Sequence, residues 1–256
     1  MVKVVAIVGG KRSGKTTVIQ CLTHELRRRG YSVGLVKEMS GVNWIDILGK
    51  EMWKYGEAGA EIMAGVAINE TVLFIKRKLN LMELAAFFTG FDYLLLEGFE
   101  DEKAVVRVIA AKNAAEAQEF YNDLTIAISG IIAECKEEAG KALMLGVPIF
   151  NCMTETEKLA DVVEKKALPL FPNLRHCGEC GYGSCRELAK AIVAEATNLR
   201  ECPLLRKEDV ILEVNGRVIP LKSFPSLFIK GTIIGMISSL NGIGQAKEIK
   251  IMVKVI

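Results

Sequence analysis

The chain has 256 residues, of which 50% are hydrophobic and 25% are charged, a composition typical of a globular protein with a substantial core. Its formal net charge of +2 gives no polyanion signal, so the composition predicts neither a nucleic-acid-binding protein nor a membrane protein. The chain has seven cysteines, an odd number. The first motif begins within the first ten residues, so no secretory signal is expected before it. These features predict a cytoplasmic protein without a disulfide framework.

The first predicted element is a strand followed by a glycine-rich loop. Apolar residues 4–8 predict the strand, the next nine residues read G-x-x-x-x-G-K-T-T, and a helix is predicted over 13–29. This order indicates a phosphate-binding loop, in which backbone N–H groups and the helix N-terminus surround a polyphosphate. Lys15 is expected to reach the outer phosphates, and the Thr16 hydroxyl to bind Mg²⁺. The predicted nucleotide-binding residues are Gly9, Gly10, Lys11, Arg12, Ser13, Gly14, Lys15, Thr16 and Thr17.

Short apolar runs then alternate with helical stretches up to about residue 168. This pattern predicts an α/β fold of the P-loop NTPase type, with a mostly parallel sheet flanked by helices. After the first helix, a helix is predicted over 51–64, and strands are predicted over 32–37, 71–75, 92–97, 105–110, 124–128 and 147–150.

A candidate metal ligand ends one of these strands. Glu97 follows the apolar run 93–96 and precedes Gly98, so its carboxylate is expected at an open strand tip. An acidic residue at such a tip holds Mg²⁺ in P-loop proteins, directly or through water. The alternative is an exposed strand-end carboxylate that binds no metal.

Two prolines three residues apart, Pro169 and Pro172, end the helical periodicity and predict a domain boundary. A C-x2-C-x4-C-x16-C motif follows, with a helix predicted over 186–200 between its last two cysteines. The three-plus-one spacing and the proline after the last cysteine favour a 4Fe–4S cluster. Zinc remains the alternative, although zinc sites usually show two C-x2-C pairs. The predicted ligands are Cys177, Cys180, Cys185 and Cys202.

The other three cysteines, Cys21, Cys135 and Cys152, lie singly in apolar surroundings and are predicted to be small core residues. In the C-terminal region, Asn215-Gly216 predicts a β-hairpin, and residues 248–255 alternate as a strand does. The apolar stretch 224–242 is interrupted by polar residues and is predicted to be a buried helix or strand pair. The predicted domains are a nucleotide-binding domain (1–168), a small helical cysteine module (169–205) and a small α+β unit (206–256).

Five segments within roughly residues 1–165 resemble the molybdopterin-guanine dinucleotide biosynthesis protein B (MobB) family: 9–17, 36–37, 49–51, 57–60 and 92–99. The resemblance implies a P-loop GTP-binding fold that assists the partner enzyme joining a guanylyl group to molybdopterin, and it suggests a homodimer. It also implies that Lys15 binds phosphate and that Thr16 and Glu97 bind Mg²⁺. Glu51 stands where the family usually has aspartate, so the resemblance implies that it is a further Mg²⁺ ligand. The family's histidines after the second strand are replaced here by residues 38–40, and no guanine motif is found, so GTP and ATP both stay open.

Residues 170–203 resemble the four-cysteine iron–sulfur domain of corrinoid iron–sulfur protein large subunits and of the B subunit of Rnf electron-transport complexes. The leading hypothesis is a GTP-binding accessory protein of molybdenum or tungsten cofactor biosynthesis, with a protein partner and a 4Fe–4S cluster that senses redox state or helps docking. Any catalysis is expected to be at most a weak Mg²⁺-dependent GTPase activity, because the sequence offers no obvious water-orienting residue or arginine finger. The alternatives are a nucleotide-dependent iron–sulfur electron carrier and a zinc-stapled nucleotide-binding domain.

Overall fold

The computed structural model describes residues 1–39, 41, 50–171, 180–203, 205, 210–215, 217–219, 221, 223–238, 240 and 249–253. The chain divides into two compact units, Met1–Phe171 and Pro172–Ile256. This division into two units does not test the three domains predicted from the sequence, so their limits stay predictions.

The first unit contains most of the regular structure. In chain order its strands and α-helices are β1 (Lys3–Val8), α1 (Lys15–Arg28), β2 (Val33–Lys37), α2 (Lys50–Glu57), β3 (Ile62–Val66), β4 (Thr71–Ile75), α3 (Leu81–Ala86), β5 (Tyr93–Glu97), β6 (Val106–Ala110), α4 (Ala114–Phe120), β7 (Thr125–Ser129), α5 (Lys136–Ala142), α6 (Thr156–Lys166) and β8 (Leu168–Pro169). Two 3₁₀ helices, Ile131–Glu134 and Leu143–Leu145, flank α5.

The central sheet has the strand order β2-β5-β1-β6-β7, all parallel, with β8 added antiparallel to β1. Every residue of β5, β6 and β7 is buried, as expected when helices cover both faces of a parallel sheet. Helix α1 buries Val18, Leu22 and Leu26, which lie four residues apart on one helical face. Because β1 is the middle strand, the loop that follows it emerges at the centre of the sheet's carboxyl edge, where open α/β sheets bind ligands. The predicted α/β fold is confirmed.

A separate antiparallel hairpin replaces part of a predicted helix. The helix predicted over 51–64 ends at Glu57, and Gly59 adopts a left-handed φ of +103° that a continuing helix does not allow. Residues Ile62–Val66 form β3, which pairs with β4 in a two-stranded antiparallel sheet. The helix prediction is therefore wrong beyond residue 57, and the strand predicted over 71–75 exists but lies outside the parallel sheet. The antiparallel pairing with β4, from Ile62 opposite Ile75 to Val66 opposite Thr71, makes this segment a strand.

Two other elements are shorter than predicted. The strand predicted over 147–150 is reduced to a single parallel bridge between Ile149 and Ile128 of β7. Helix α1 begins at Lys15 rather than at residue 13, because the preceding residues form the loop.

The second unit contains the remaining regular elements that the structure describes: α7 (Cys185–Val193), a 3₁₀ helix (Leu199–Glu201), β9 (Leu212–Val214), β10 (Arg217–Ile219) and α8 (Ser223–Ser238). The helix predicted over 186–200 is too long, because α7 ends in a turn in which Glu195 has a φ of +60°. Strands β9 and β10 form the predicted antiparallel hairpin around Asn215.

Two C-terminal predictions are wrong for the described residues. Helix α8 leaves Phe228 and Met236 largely exposed rather than buried. Residues 249–253 form no strand, and the rest of the predicted strand lies outside the described residues. Among the described residues, no helix is long and apolar enough to cross a membrane.

Candidate functional site

The glycine-rich loop between β1 and α1 depends on backbone conformations that favour glycine. Gly9 and Gly14 have φ values of +144° and +100°. A Cβ atom on Gly9 would lie 1.9 Å from the carbonyl oxygen of Ala110, so the loop approaches the end of β6 too closely for any side chain. The loop thus exposes its backbone where a phosphate group can reach it.

Lys15 and the N-terminus of α1 supply positive charge at this loop. The Lys15 ammonium donates hydrogen bonds to the carbonyl oxygens of Gly9 and, over 2.7 Å, Gly10. Gly14 occupies the N-cap of α1 and has no side chain to satisfy the first N–H groups of the helix. These N–H groups and the helix dipole favour an anion at the same place.

Glu97 lies beside the first turn of α1. Its Oε1 atom accepts a hydrogen bond from the Thr16 hydroxyl over 3.3 Å and lies 2.8 Å from the ammonium of Lys37. The sheet register produces this arrangement, because Glu97 is paired with Ile7 of β1 and with Lys37 of β2. Although it carries a carboxylate, Glu97 is only 7% exposed. Lys37 compensates this buried charge, and sequence reasoning missed it because the pairing depends on strand order.

The Thr16 hydroxyl and the Glu97 carboxylate fit a divalent cation. Both are hard oxygen donors, which is the ligand type that Mg²⁺ requires, and both adjoin the loop that would hold the phosphates. The backbone of Glu51 lies in α2, but its side chain lies outside the described part of the structure. The assignment of Glu51 as a Mg²⁺ ligand therefore stays a prediction.

Three further carboxylates surround the loop, and no sequence motif indicated them. The Glu116 side chain lies against Gly10, and its Oε1 atom lies 1.9 Å from the point that a Cβ atom on this glycine would occupy. The Glu38 carboxylate accepts a hydrogen bond from the N–H of Phe99 over 2.9 Å. Burial raises the pKa of Glu100, and the nearby Lys15 ammonium acts in the opposite direction. These carboxyl groups place acidic side chains beside the glycine-rich loop and the end of β5.

The segment after β7 supports the loop from the other side. The N–H of Ile131 donates to the carbonyl oxygen of Ser13 over 3.3 Å, and a Cβ atom on Gly130 would lie 2.4 Å from that same oxygen. The Ser13 hydroxyl is fully buried and has no hydrogen-bond partner among the described residues. The loop conformation is thus coupled to the backbone at Gly130.

In the second unit, three of the four motif cysteines lie at helix ends or beside a turn. Cys185 is the first residue of α7, whose N-cap Ser184 accepts the N–H of Glu187 over 3.2 Å. Cys202 follows the 3₁₀ helix and is buried, and Cys180 precedes the glycine-rich turn. Cys177 lies outside the described residues. Iron–sulfur clusters are bound by cysteine thiolates, and these cysteines supply ligands of that type.

Comparison with known proteins agrees with the loop geometry. The family model for MobB, molybdopterin guanine dinucleotide synthesis protein B, matches residues 4–134. The chain belongs to the MobB family. A second family model, for a candidate Fe–S cluster domain, matches residues 175–204 and so covers all four motif cysteines.

Relatives of this MobB-family chain are known from archaea and bacteria. A candidate molybdopterin-guanine dinucleotide biosynthesis adapter protein of Methanocaldococcus jannaschii is 26% identical over 255 residues, which cover 99% of this chain and 98% of the relative. A Bacillus subtilis protein with the corresponding name is 29% identical over 153 residues, which cover 58% of this chain and 84% of the relative. The crystal structure of Bacillus subtilis MobB is 24% identical in sequence and superposes with a TM-score of 0.52. The superposition covers 66% of this chain and 99% of the Bacillus subtilis chain, and it confirms the fold.

Proposed function

We propose that this protein is a GTP-binding adapter of molybdopterin guanine dinucleotide biosynthesis, which presents Mg²⁺-bound nucleotide to a guanylyl-transferring partner protein. The observation that carries the proposal is the contact between Thr16 and Glu97 beside the glycine-rich loop, in a chain of the MobB family. The names of the two relatives support the biosynthetic role.

The loop residues bind and orient the phosphates. Backbone N–H groups of residues 9–17 and the N-terminus of α1 surround the phosphates, and the Lys15 ammonium leaves the carbonyl oxygens of Gly9 and Gly10 to pair with an outer phosphate. Thr16, Glu97 and, by family resemblance, Glu51 hold Mg²⁺, which neutralises phosphate charge when bound. The chain acts mainly by holding the nucleotide, with at most weak GTPase activity.

The proposal includes a homodimer formed through the β3–β4 hairpin. Because Ala64 pairs with Leu73 and Val66 with Thr71, the side chains of alternate residues on both strands share one face. On that face Ile62, Val66 and Leu73 are exposed, Val66 by 80%. A contiguous apolar face of this kind is typical of protein–protein contacts.

The second unit is proposed to bind a 4Fe–4S cluster through Cys177, Cys180, Cys185 and Cys202, as the family match at residues 175–204 suggests. The test is metal and sulfide analysis of anaerobically purified protein, with visible absorption. We expect about four iron and four sulfide per chain, lost in Cys202→Ser and retained in Cys135→Ser. Stoichiometric zinc without visible absorption would instead support a structural zinc site.

The nucleotide proposal is tested by calorimetric titration of GTP and ATP in the presence of Mg²⁺. GTP is expected to bind more tightly, and Lys15→Ala to weaken GTP binding by on the order of tenfold to a hundredfold, because a charged hydrogen bond to phosphate is lost. Lys158→Ala, at an exposed lysine outside the loop, is the matched control and is expected to bind GTP as the wild type does. Equal binding of both nucleotides would contradict GTP specificity.

The adapter role needs a separate measurement. The full-length chain, added to a molybdopterin guanylyltransferase with GTP, is expected to raise the rate of dinucleotide formation, and Lys15→Ala is expected to abolish that increase. GTP binding without any increase would contradict the adapter role and leave the nucleotide site intact.

A further inference from the structure

Three sulfur-containing side chains meet outside the nucleotide site, between α1 and the segment that precedes α6. The Sγ atom of Cys21, on α1, lies 3.6 Å from the Sδ atom of Met153. Cys152, the residue before Met153, is buried, and its thiol interacts with the neighbouring Cys21 thiol. Two thiols and a thioether from two distant parts of the chain thus form one cluster.

Hydrogen bonds between side chains and the backbone hold the segment that supplies two of these sulfurs. The N–H of Met153 donates to the side-chain oxygen of Asn151 over 2.9 Å, and the Thr156 hydroxyl donates to the carbonyl oxygen of Cys152. Just upstream, the Ser129 hydroxyl donates to the carbonyl oxygen of Phe150 over 2.7 Å. These contacts tie the segment both to β7 and to the start of α6.

Ion pairs hold α1 against α6 and so keep Cys21 in place. Arg28 lies 2.8 Å from Glu157, and Arg29 lies 2.7 Å from Asp161 and 2.6 Å from Glu164. Cys21 is therefore held on a helix that is paired with α6, and Cys152 and Met153 lie in the hydrogen-bonded turn before α6.

We propose that Cys21, Cys152 and Met153 form a three-sulfur binding site for a soft monovalent metal ion of the Cu(I) type. Thiolate and thioether donors select soft ions. With metal–sulfur bonds of about 2.3 Å, a trigonal centre needs sulfur atoms about 4 Å apart, close to the 3.6 Å between Cys21 and Met153. Zinc favours four ligands in a tetrahedron, so a three-sulfur set suits it less well.

Two of the three members of the cluster are open to solvent. Met153 is 66% exposed and Cys21 is half-buried, whereas Cys152 is 5% exposed, so an ion would approach from the side of Met153 and Cys21. A soft ion that binds at the cluster displaces the thiol protons of Cys21 and Cys152.

The test is anaerobic titration of full-length protein with Cu(I) in competition with a chromogenic Cu(I) chelator. Compared with the wild type, Cys21→Ser and Cys152→Ser are expected to bind one equivalent less Cu(I). Met153→Leu is expected to keep that equivalent but to release it on the order of tenfold more readily, as weakened metal sites do. Cys135→Ser removes an exposed cysteine outside the cluster and is expected to match the wild type.

A second measurement guards against misfolded variants. Cu(I) is expected to raise the thermal midpoint of the wild type, of Cys135→Ser and, less strongly, of Met153→Leu, but not of Cys21→Ser, whose thiol is only half-buried. The proposal is overturned if Cys21→Ser and Cys135→Ser bind equal amounts of Cu(I). It is also overturned if protein isolated without reductant has lost two hydrogens through a bond between Cys21 and Cys152.

Discussion

The ammonium of Lys37 lies 2.8 Å from the Oε1 atom of Glu97. The Thr16 hydroxyl donates to that same oxygen. Because Lys37 and Glu97 are directly paired residues of adjacent parallel strands, the lysine is held at the carboxylate by the register of the sheet. A Mg²⁺ ion bound to Thr16 and Glu97, as proposed, would compete with the Lys37 ammonium for this carboxylate.

Replacing Lys37 by methionine is expected to leave a nearly buried carboxylate without its cation. The predicted result for Lys37→Met is a loss of about 1–3 kcal/mol in the free energy of unfolding without Mg²⁺. Saturating GTP and Mg²⁺ are expected to remove most of this difference, because the metal takes over the compensating charge. Urea unfolding with and without the ligands measures both quantities.

Lys141→Met is the matched control for that variant, since Lys141 forms ion pairs with Glu137 and Glu138 at the surface. It is expected to change stability little in either condition. A Lys37→Met defect that persists undiminished with GTP and Mg²⁺ would argue against metal binding at Glu97.

A methyl group at Gly130 is expected to disturb the glycine-rich loop. In Gly130→Ala the new Cβ would lie 2.4 Å from the carbonyl oxygen of Ser13, and the residue would also keep an unfavourable φ of +87°. We expect weaker GTP binding together with a stability loss of about 1–3 kcal/mol. Calorimetric titration and urea unfolding test the two effects.

Gly146→Ala separates the two causes. Gly146 has a similar φ of +72° but no atom within 4 Å of the added Cβ. This variant is expected to lose stability through backbone strain while binding GTP as the wild type does. An equal loss of GTP affinity in both variants would show that the contact with Ser13 is not the cause.

Stability at acidic pH is expected to depend on Glu25. Hydrogen bonds from Arg28 and Arg29 lower the pKa of this buried carboxyl group to about 2. Because the folded-state pKa lies below the unfolded-state value, its contribution to stability is complete above about pH 4.5 and is lost as the pH falls toward 2. Urea unfolding between pH 7 and 2 is the measurement.

In Glu25→Gln the acid-dependent loss of stability is expected to become smaller, because the titrating group is gone while a hydrogen-bonding side chain remains. Glu157→Gln is the control, since Glu157 contacts Arg28 but its side chain is 72% exposed. Identical pH profiles for Glu25→Gln and the wild type would contradict the assignment.

The β3–β4 hairpin is expected to carry the homodimer contact. Val66→Lys combined with Leu73→Lys places two like charges on its exposed apolar face. Sedimentation velocity is expected to show a dimer for the wild type and a monomer for the double variant. Val214→Lys, on the exposed hairpin of the second unit, is expected to stay dimeric. A wild-type monomer at all concentrations would exclude this contact.

Local signals in the sequence were enough to predict the nucleotide loop and most strands of the parallel sheet. The motif around Lys15 and the continuous apolar runs depend on short-range chemistry, namely glycine conformations and burial on both faces of a sheet. Local pattern failed for β3, because a short run such as Ile62–Val66 is compatible with both a helix and a strand until its partner β4 is known. It failed again at the end of α7, where Glu195 adopts a conformation that its residue type does not indicate.

The sequence by itself therefore determined the fold class, the glycine-rich loop after β1 and the four-cysteine motif, since residue type and spacing carry each of these. Only the tertiary structure decided that Lys37 faces Glu97, that Glu116 borders the loop and that Cys21 meets Met153. These contacts join residues far apart in the chain, and strand order, register and helix packing place them together. No local preference of either partner contains that information.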